Sequence, residues 1–223
     1  IKMKKLFSIL LLFVAISTMA QLPMRVTVPY KYPPAASAYT YATWNPSDKA
    51  AGITLSDGDL TTTRASGTVS AVRGTIGKST GKHYFEIKCI STTGGTFDVW
   101  IGLANLTASL TALPGNADAN GWALALDGGD YYHSGFIGLV NGGAGFTAVA
   151  NDVFGFEWDA TANNLSIYRN NTLLTPSPLF STLTGTLYPI VAVQTQTAVL
   201  TANFGATSFT YTNHTSFNQG VYQ

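Results

Sequence analysis

Asp152–Leu174, DVFGFEWDATANNLSIYRNNTLL, constrains the fold of this chain more than any other stretch. Phe154, Phe156 and Trp158 occupy alternate positions of a first run. Leu165, Ile167 and Arg169 do the same in a second. A period of two puts such residues on one face of a strand. Between the runs, Asp159–Asn164 has the polar composition of a hairpin loop. The segment therefore reads as a β-hairpin with an aromatic face, and another layer of structure has to bury that face.

The same grammar continues on both sides. Ile53–Ser56 and Leu60–Arg64 flank Asp57-Gly58-Asp59, a tight-turn signal. Thr68–Ile76 follows, and then His83–Ile90, where His83, Phe85, Ile87 and Cys89 alternate with Tyr84, Glu86 and Lys88. Val99–Ala104, VWIGLA, is apolar throughout, as in a strand covered on both faces. A long polar connection, Asn105–Asn120, precedes Gly121–Leu126, and Asp127-Gly128-Gly129-Asp130 turns the chain into Tyr131–Ser134. Gly135–Ala150 is glycine-rich and reads as a loop with one short strand. Leu187–Val193 and Val199–Phe204 form a last pair across Gln194–Thr197, and the tail Thr207–Gln223 holds one more strand. No helical period occurs after residue 20. The expected fold class is all-β, a two-sheet antiparallel sandwich over residues 44–223.

Ahead of it, Lys2–Lys5, the apolar run Leu6–Ile16 and the small-residue close at Ala20 have the layout of a secretory signal peptide. The run is too short to anchor the chain in a bilayer. Cleavage after Ala20 predicts a secreted or periplasmic protein without a membrane anchor. A start at Met24 would instead fit a component of a phage particle. Residues 21–43, with Pro23, Pro29, Pro33 and Pro34 and four tyrosines, read as an extended arm.

Charge narrows the function. Charged residues are 10 % of the 223, far below an average soluble domain. Of 12 basic residues, removing Lys2, Lys4 and Lys5 leaves 9 against 11 acidic, a net charge of −2. No basic run exists to meet a phosphate backbone, so nucleic acid is not an expected partner. A single cysteine, Cys89, excludes an intrachain disulfide framework and a cysteine-based zinc site.

Several landmarks, taken in order, resemble the SPRY domain. Gly81-Lys82-His83-Tyr84-Phe85-Glu86-Ile87 is similar to that family's G-K-aromatic-Y-aromatic-E-V strand, with His83 in an aromatic position. Val99–Asn105, VWIGLAN, is similar to its hydrophobic-I-G strand. Gly121-Trp122 with Tyr131-Tyr132-His133-Ser134-Gly135 resembles its central hairpin. Asp152–Leu174 resembles its D-V-I-G hairpin, with Arg169 for Lys and Asn171 for Gly. Leu187-Tyr188-Pro189 and Ala202-Asn203-Phe204-Gly205 are similar to its Y-P and N-F-G landmarks. The resemblance implies a concanavalin-like sandwich that binds partners through loops at one rim and performs no catalysis.

On that reading the partner is a protein or a cell-surface glycan, no cofactor or metal is called for, and the oligomeric state stays open. The candidate contact residues are Asn105, Tyr131, Tyr132, His133, Gln194, Thr195 and Gln196. Tyr131 and Tyr132 are neighbours in a strand, so one of them is expected to point inward. Other chemistries have weaker support. Glu157 and Asp159 share a face, as glycosidase acids would, but an E-x-D-x-E run would need a third acid where Thr161 stands. Glu86 stands alone. Of the histidines, His83 is expected in the core with one nitrogen satisfied, His214 in a surface tail, and His133 near the rim. Asp118, Asp127 and Asp130 could offer oxygens to Ca²⁺, but DGGD is also what a tight turn requires. Gly142-Gly143-Ala144-Gly145 is followed by no helix start that could cradle phosphate.

Overall fold

A computed structural model describes residues 39–64, 68–116, 118–194 and 197–223. The leader-like segment and most of the proline-rich arm, with Thr195 and Gln196, lie outside these residues. Fifteen strands follow in chain order, which bears out the all-β expectation. They are β1 (Trp44–Lys49), β2 (Ile53–Ser56), β3 (Thr61–Arg64), β4 (Ser70–Gly74), β5 (Lys82–Thr92), β6 (Val99–Ala104), β7 (Gly121–Ala125), β8 (Asp130–Tyr132) and β9 (Phe136–Leu139). After one 3₁₀ turn at Asn141–Gly143 come β10 (Val153–Asp159), β11 (Asn164–Arg169), β12 (Thr172–Leu173), β13 (Tyr188–Val193), β14 (Ala198–Asn203) and β15 (Asn218–Gln219). One sheet runs β1-β4-β13-β6-β7-β8-β9. The other runs β12-β11-β10-β5-β14-β3-β2, with β15 pairing against β5.

The central hairpin has the register its alternation demands. Phe154 pairs with Arg169, Phe156 with Ile167 and Trp158 with Leu165. Phe154, Phe156 and Trp158 are fully buried between the sheets, with Trp44, Phe85, Ile101, Trp122 and Phe204. Phe156 stacks on Phe85 with ring centroids 4.4 Å apart. The turn into β12 uses Asn170 and Asn171, both at positive φ (49° and 64°). Two such residues make the primed turn whose twist suits a two-residue hairpin, and asparagine tolerates that conformation. Gly155 has a different reason: a Cβ there would lie 2.5 Å from the Tyr84 hydroxyl on the neighbouring strand.

Asp152 closes the open end of this hairpin. Its carboxylate accepts from Val149 N–H at 2.9 Å, from Arg169 Nε and Nη2 at 2.9 and 2.6 Å, and from Asn170 Nδ2 at 2.6 Å. Burial alone would push its pKa up, but these donors outweigh burial and hold it below the ordinary carboxylate value. The stabilisation is therefore complete above about pH 4 and fades as pH falls through the depressed folded value. Asp152→Asn should cost about 2 kcal/mol near neutral pH. Urea unfolding should show that gap narrowing toward pH 3, and a gap independent of pH would contradict the assignment.

Candidate functional site

Strand register decides which loops can act together. Tyr188 pairs with Ala104 and Val193 with Val99, so β6 and β13 run in opposite directions. Ala104 also pairs with Gly121. The loop after β6 and the β8–β9 turn (residues 133–135) therefore share one rim. The loop after β13 leaves from the opposite end, where Gln194 N–H donates to Asp98 O at 3.0 Å. The seven sequence-predicted contact residues thus divide: Asn105, Tyr132 and His133 reach the first rim, and Gln194 belongs to the second.

The first rim is tied together by backbone. Ser134 N–H donates to Asp118 O and Gly135 N–H to Gly115 O, each at 2.9 Å. Gly115 has φ 75°, and a Cβ on it would lie 2.6 Å from Gly121 O and 2.7 Å from Tyr132 O, so only glycine permits this approach. Asn105 faces inward as a loop fastener. Its amide nitrogen donates to Asn120 Oδ1 at 3.0 Å, and its Oδ1 accepts from the Thr107 N–H and hydroxyl at 2.9 and 2.7 Å. His133 is half-buried. It stacks on Trp122 at 4.3 Å, with Nδ1 2.9 Å from Gly121 O. Tyr131 points into the sandwich, edge-on to Phe180 at 5.7 Å.

Tyr132 points the other way and finds two aromatic residues that the strand pattern did not single out. Its ring stacks on Trp100 with centroids 4.0 Å apart, and Phe136 meets it edge-on at 5.8 Å. Trp100 is 5 % exposed and Phe136 59 %, so the three rings form a step from the covered sheet face out to solvent. Apart from Ile190, the rest of that face is small: Ala71, Ala104, Ala123, Ala125 and Ala192 are buried, with Leu110 and Leu113 of the long loop packed against them. VWIGLA is a strand covered on both faces, as its apolar run implies, but that run does not mark Trp100 as part of a site. The alternation of Trp100, Gly102 and Ala104 with the branched aliphatic Val99, Ile101 and Leu103 was the available signal.

The outer face of the other sheet carries the acids considered for hydrolysis, and they are engaged in structure. Glu157 accepts from the Tyr168 hydroxyl at 2.8 Å and lies 2.8 Å from His214 Nδ1. Asp159 accepts from the backbone of Thr161 and Ala162 and faces Lys82 at 3.5 Å. Glu86, also read as solitary, is 3 % exposed and accepts from Thr210 N–H, Tyr211 N–H and the Tyr84 hydroxyl. His214 corrects the expectation of a surface histidine. It is 2 % exposed, stacked on Tyr84 at 4.3 Å, because the tail folds back across this sheet. His83 packs in the core with Nε2 on Thr80 O, as expected, and burial lowers its pKa. Burial pushes the Cys89 thiol up to about 12, which leaves it unreactive.

The three aspartates weighed for calcium do not converge. Asp118 belongs to the first rim, where it caps Asn120 N–H at 2.8 Å, while Asp127 and Asp130 flank the turn at the opposite end of β7 and β8. Among the described residues no group of three or more His, Cys, Asp or Glu could hold a metal. An open depression of about 540 Å³ lies between Tyr41 and the tail, lined by Thr207, Ser208, Thr212 and Gln219.

Known proteins share this architecture. The chain is 31% identical over 175 residues to Ran-binding protein 9 of Xenopus tropicalis and to that of Xenopus laevis, a match covering 75% of this chain. It spans about a third of the length of those relatives (31%). Among solved structures, the SPRY domain of human HERC1 superposes with a TM-score of 0.61 at 15% identity, over 71% of this chain and 96% of that one. The TRIM65 PSpry domain does so at 0.54 and 16%, over 74% and 92%. Both show the fold. The model of the SPRY domain family matches residues 82–207, and the chain belongs to that family.

Proposed function

We propose that this chain is a protein-binding module whose contact surface is the aromatic step Trp100–Tyr132–Phe136 and the loops of the adjoining rim. The observation that carries this reading is the exposure of Phe136 beside a Tyr132 already stacked on Trp100. Exposed rings held by other rings lose little entropy when a partner covers them, and such anchors dominate protein interfaces. SPRY domains are protein-interaction modules, and the Xenopus relatives are named for binding Ran. Protein binding is carried over from them, and the particular partner is not. Export belongs to the same reading, supported by the lysine-led apolar start that ends at Ala20.

The test compares the native chain with Phe136→Ala. Truncating an exposed ring leaves stability within about 0.5 kcal/mol, so folding does not obscure the result. Proteins retained from an extract of the source cells' surface should bind the variant about thirtyfold more weakly, the signature of a hot spot. A set retained equally by both proteins would remove this face from consideration. The mass of the native chain should correspond to a start at Gln21, and retention of residues 1–20 would end the export reading.

A further inference from the structure

Resting on that reading, we propose that the partner presents a basic side chain, arginine or lysine, to the aromatic step, next to an apolar residue that covers Phe136. Register puts the relevant groups on one face. Tyr132 pairs with Phe136 and Ala123, and Asp130 pairs with Leu139. Paired residues point to the same side and residues two apart share it. Asp130 and Tyr132 therefore stand side by side on the face that holds Trp100. Asp127 lies in the turn that joins β7 to β8, two residues past Ala125 and exposed.

Two physical features give this surface its sign. The first is charge. Neither Asp127 nor Asp130 joins an ion pair among the described residues. Burial and then the nearby carboxylates of Asp98 and Asp130 raise the pKa of Asp127, as expected where negative potential accumulates. Burial and then the carboxylates of Asp130 and Asp127 raise the pKa of the Tyr132 hydroxyl, as expected where both acids stand close to the aromatic step. The second is the π-face itself. Tyr132, backed by the buried Trp100, attracts a cation over its ring, and guanidinium does so while stacking. Phe136 at 59 % exposure, with Ile137 at 48 % and Leu139 at 38 %, supplies the apolar half. A neutral or acidic partner would have to desolvate these carboxylates without compensation.

Selection of a random dodecapeptide display library on the native full chain tests this. Arginine or lysine beside an aromatic or aliphatic residue should be enriched. A synthetic peptide of the enriched sequence should bind Asp127→Asn about tenfold more weakly and weaken further with added salt. Both losses should be absent when its basic residue is changed to glutamine. Enriched peptides that lack a basic residue yet lose binding to Phe136→Ala would overturn the charge proposal while keeping the face. Enriched peptides indifferent to Phe136→Ala would overturn the face itself, as would no enrichment at all.

Discussion

Replacing Arg73 with methionine is expected to lower the unfolding free energy by about 3–5 kcal/mol and to release the long loop between β6 and β7. Arg73 is buried on β4, and its guanidinium makes a two-pronged pair with Asp48, Nε to Oδ2 at 2.7 Å and Nη2 to Oδ1 at 2.8 Å. The remaining nitrogen, Nη1, donates to Ala108 O at 2.7 Å and Asn105 O at 3.3 Å. One side chain thus joins an edge strand to the loop that covers the alanine-lined sheet face. Methionine fills the volume of the stem but leaves the Ala108 carbonyl and a carboxylate without donors, and Asn105 O with only the Ala108 N–H. Lysine restores the charge at a single point and cannot span both partners, so Arg73→Lys should recover less than half of the loss. At this chain length the methionine variant should melt roughly 10 °C lower. Hydrogen exchange should quicken at Asn105 and Ala108, whose amides close the loop. A variant that melts early with those amides still protected would show that Arg73 serves the sheet and not the loop.

The second large effect concerns the tail. Glu86→Ala is expected to cost about 3 kcal/mol, because hydrogen bonds to a charged acceptor contribute about 1.5–3 kcal/mol and this carboxylate takes three. His214→Ala removes a ring held between the Glu157 carboxylate and Asn171 Oδ1, 2.8 and 3.1 Å from its two nitrogens, and leaves a void against Tyr84. Phe209 is buried edge-on to the same tyrosine at 4.9 Å. Both substitutions loosen one segment, so their costs should fall short of additive when combined. Limited proteolysis should cut the double variant within residues 207–219 before any other described segment. A tail as resistant as in the native protein would mean that these bonds follow its docking and do not cause it.

Much of the fold was legible because β-structure writes its faces into a period of two. Phe154, Phe156 and Trp158 announced a buried face, and DGD and DGGD announced turns. These are local signals, set by pleat and backbone conformation. Tyr131 and Tyr132 were expected to divide inward and outward, and they do. The site was less legible. Asn105 looked like an exposed loop residue, yet its amide is consumed in closing the loop. Trp100 was hidden in an apolar run because its partner across the sheet lies 32 positions away. Glu86 reads as a solitary acid and His214 as a surface histidine because nothing near them in the chain reveals that the tail returns to cover them.

The same division separates what the chain's residues settle from what its folding adds. Alternation, turn residues and ordered landmarks settle a two-sheet antiparallel sandwich of the SPRY type, since each depends on neighbours within a few residues. Which loops share a rim depends on strand direction and register, and those come from pairings between distant segments. Only the tertiary structure separates Gln194 from His133, brings Trp100, Tyr132 and Phe136 into one step, and folds His214 under cover. Contacts of that kind form when hydrophobic faces find each other across the sandwich, and their residues carry no mark of the partner they will meet.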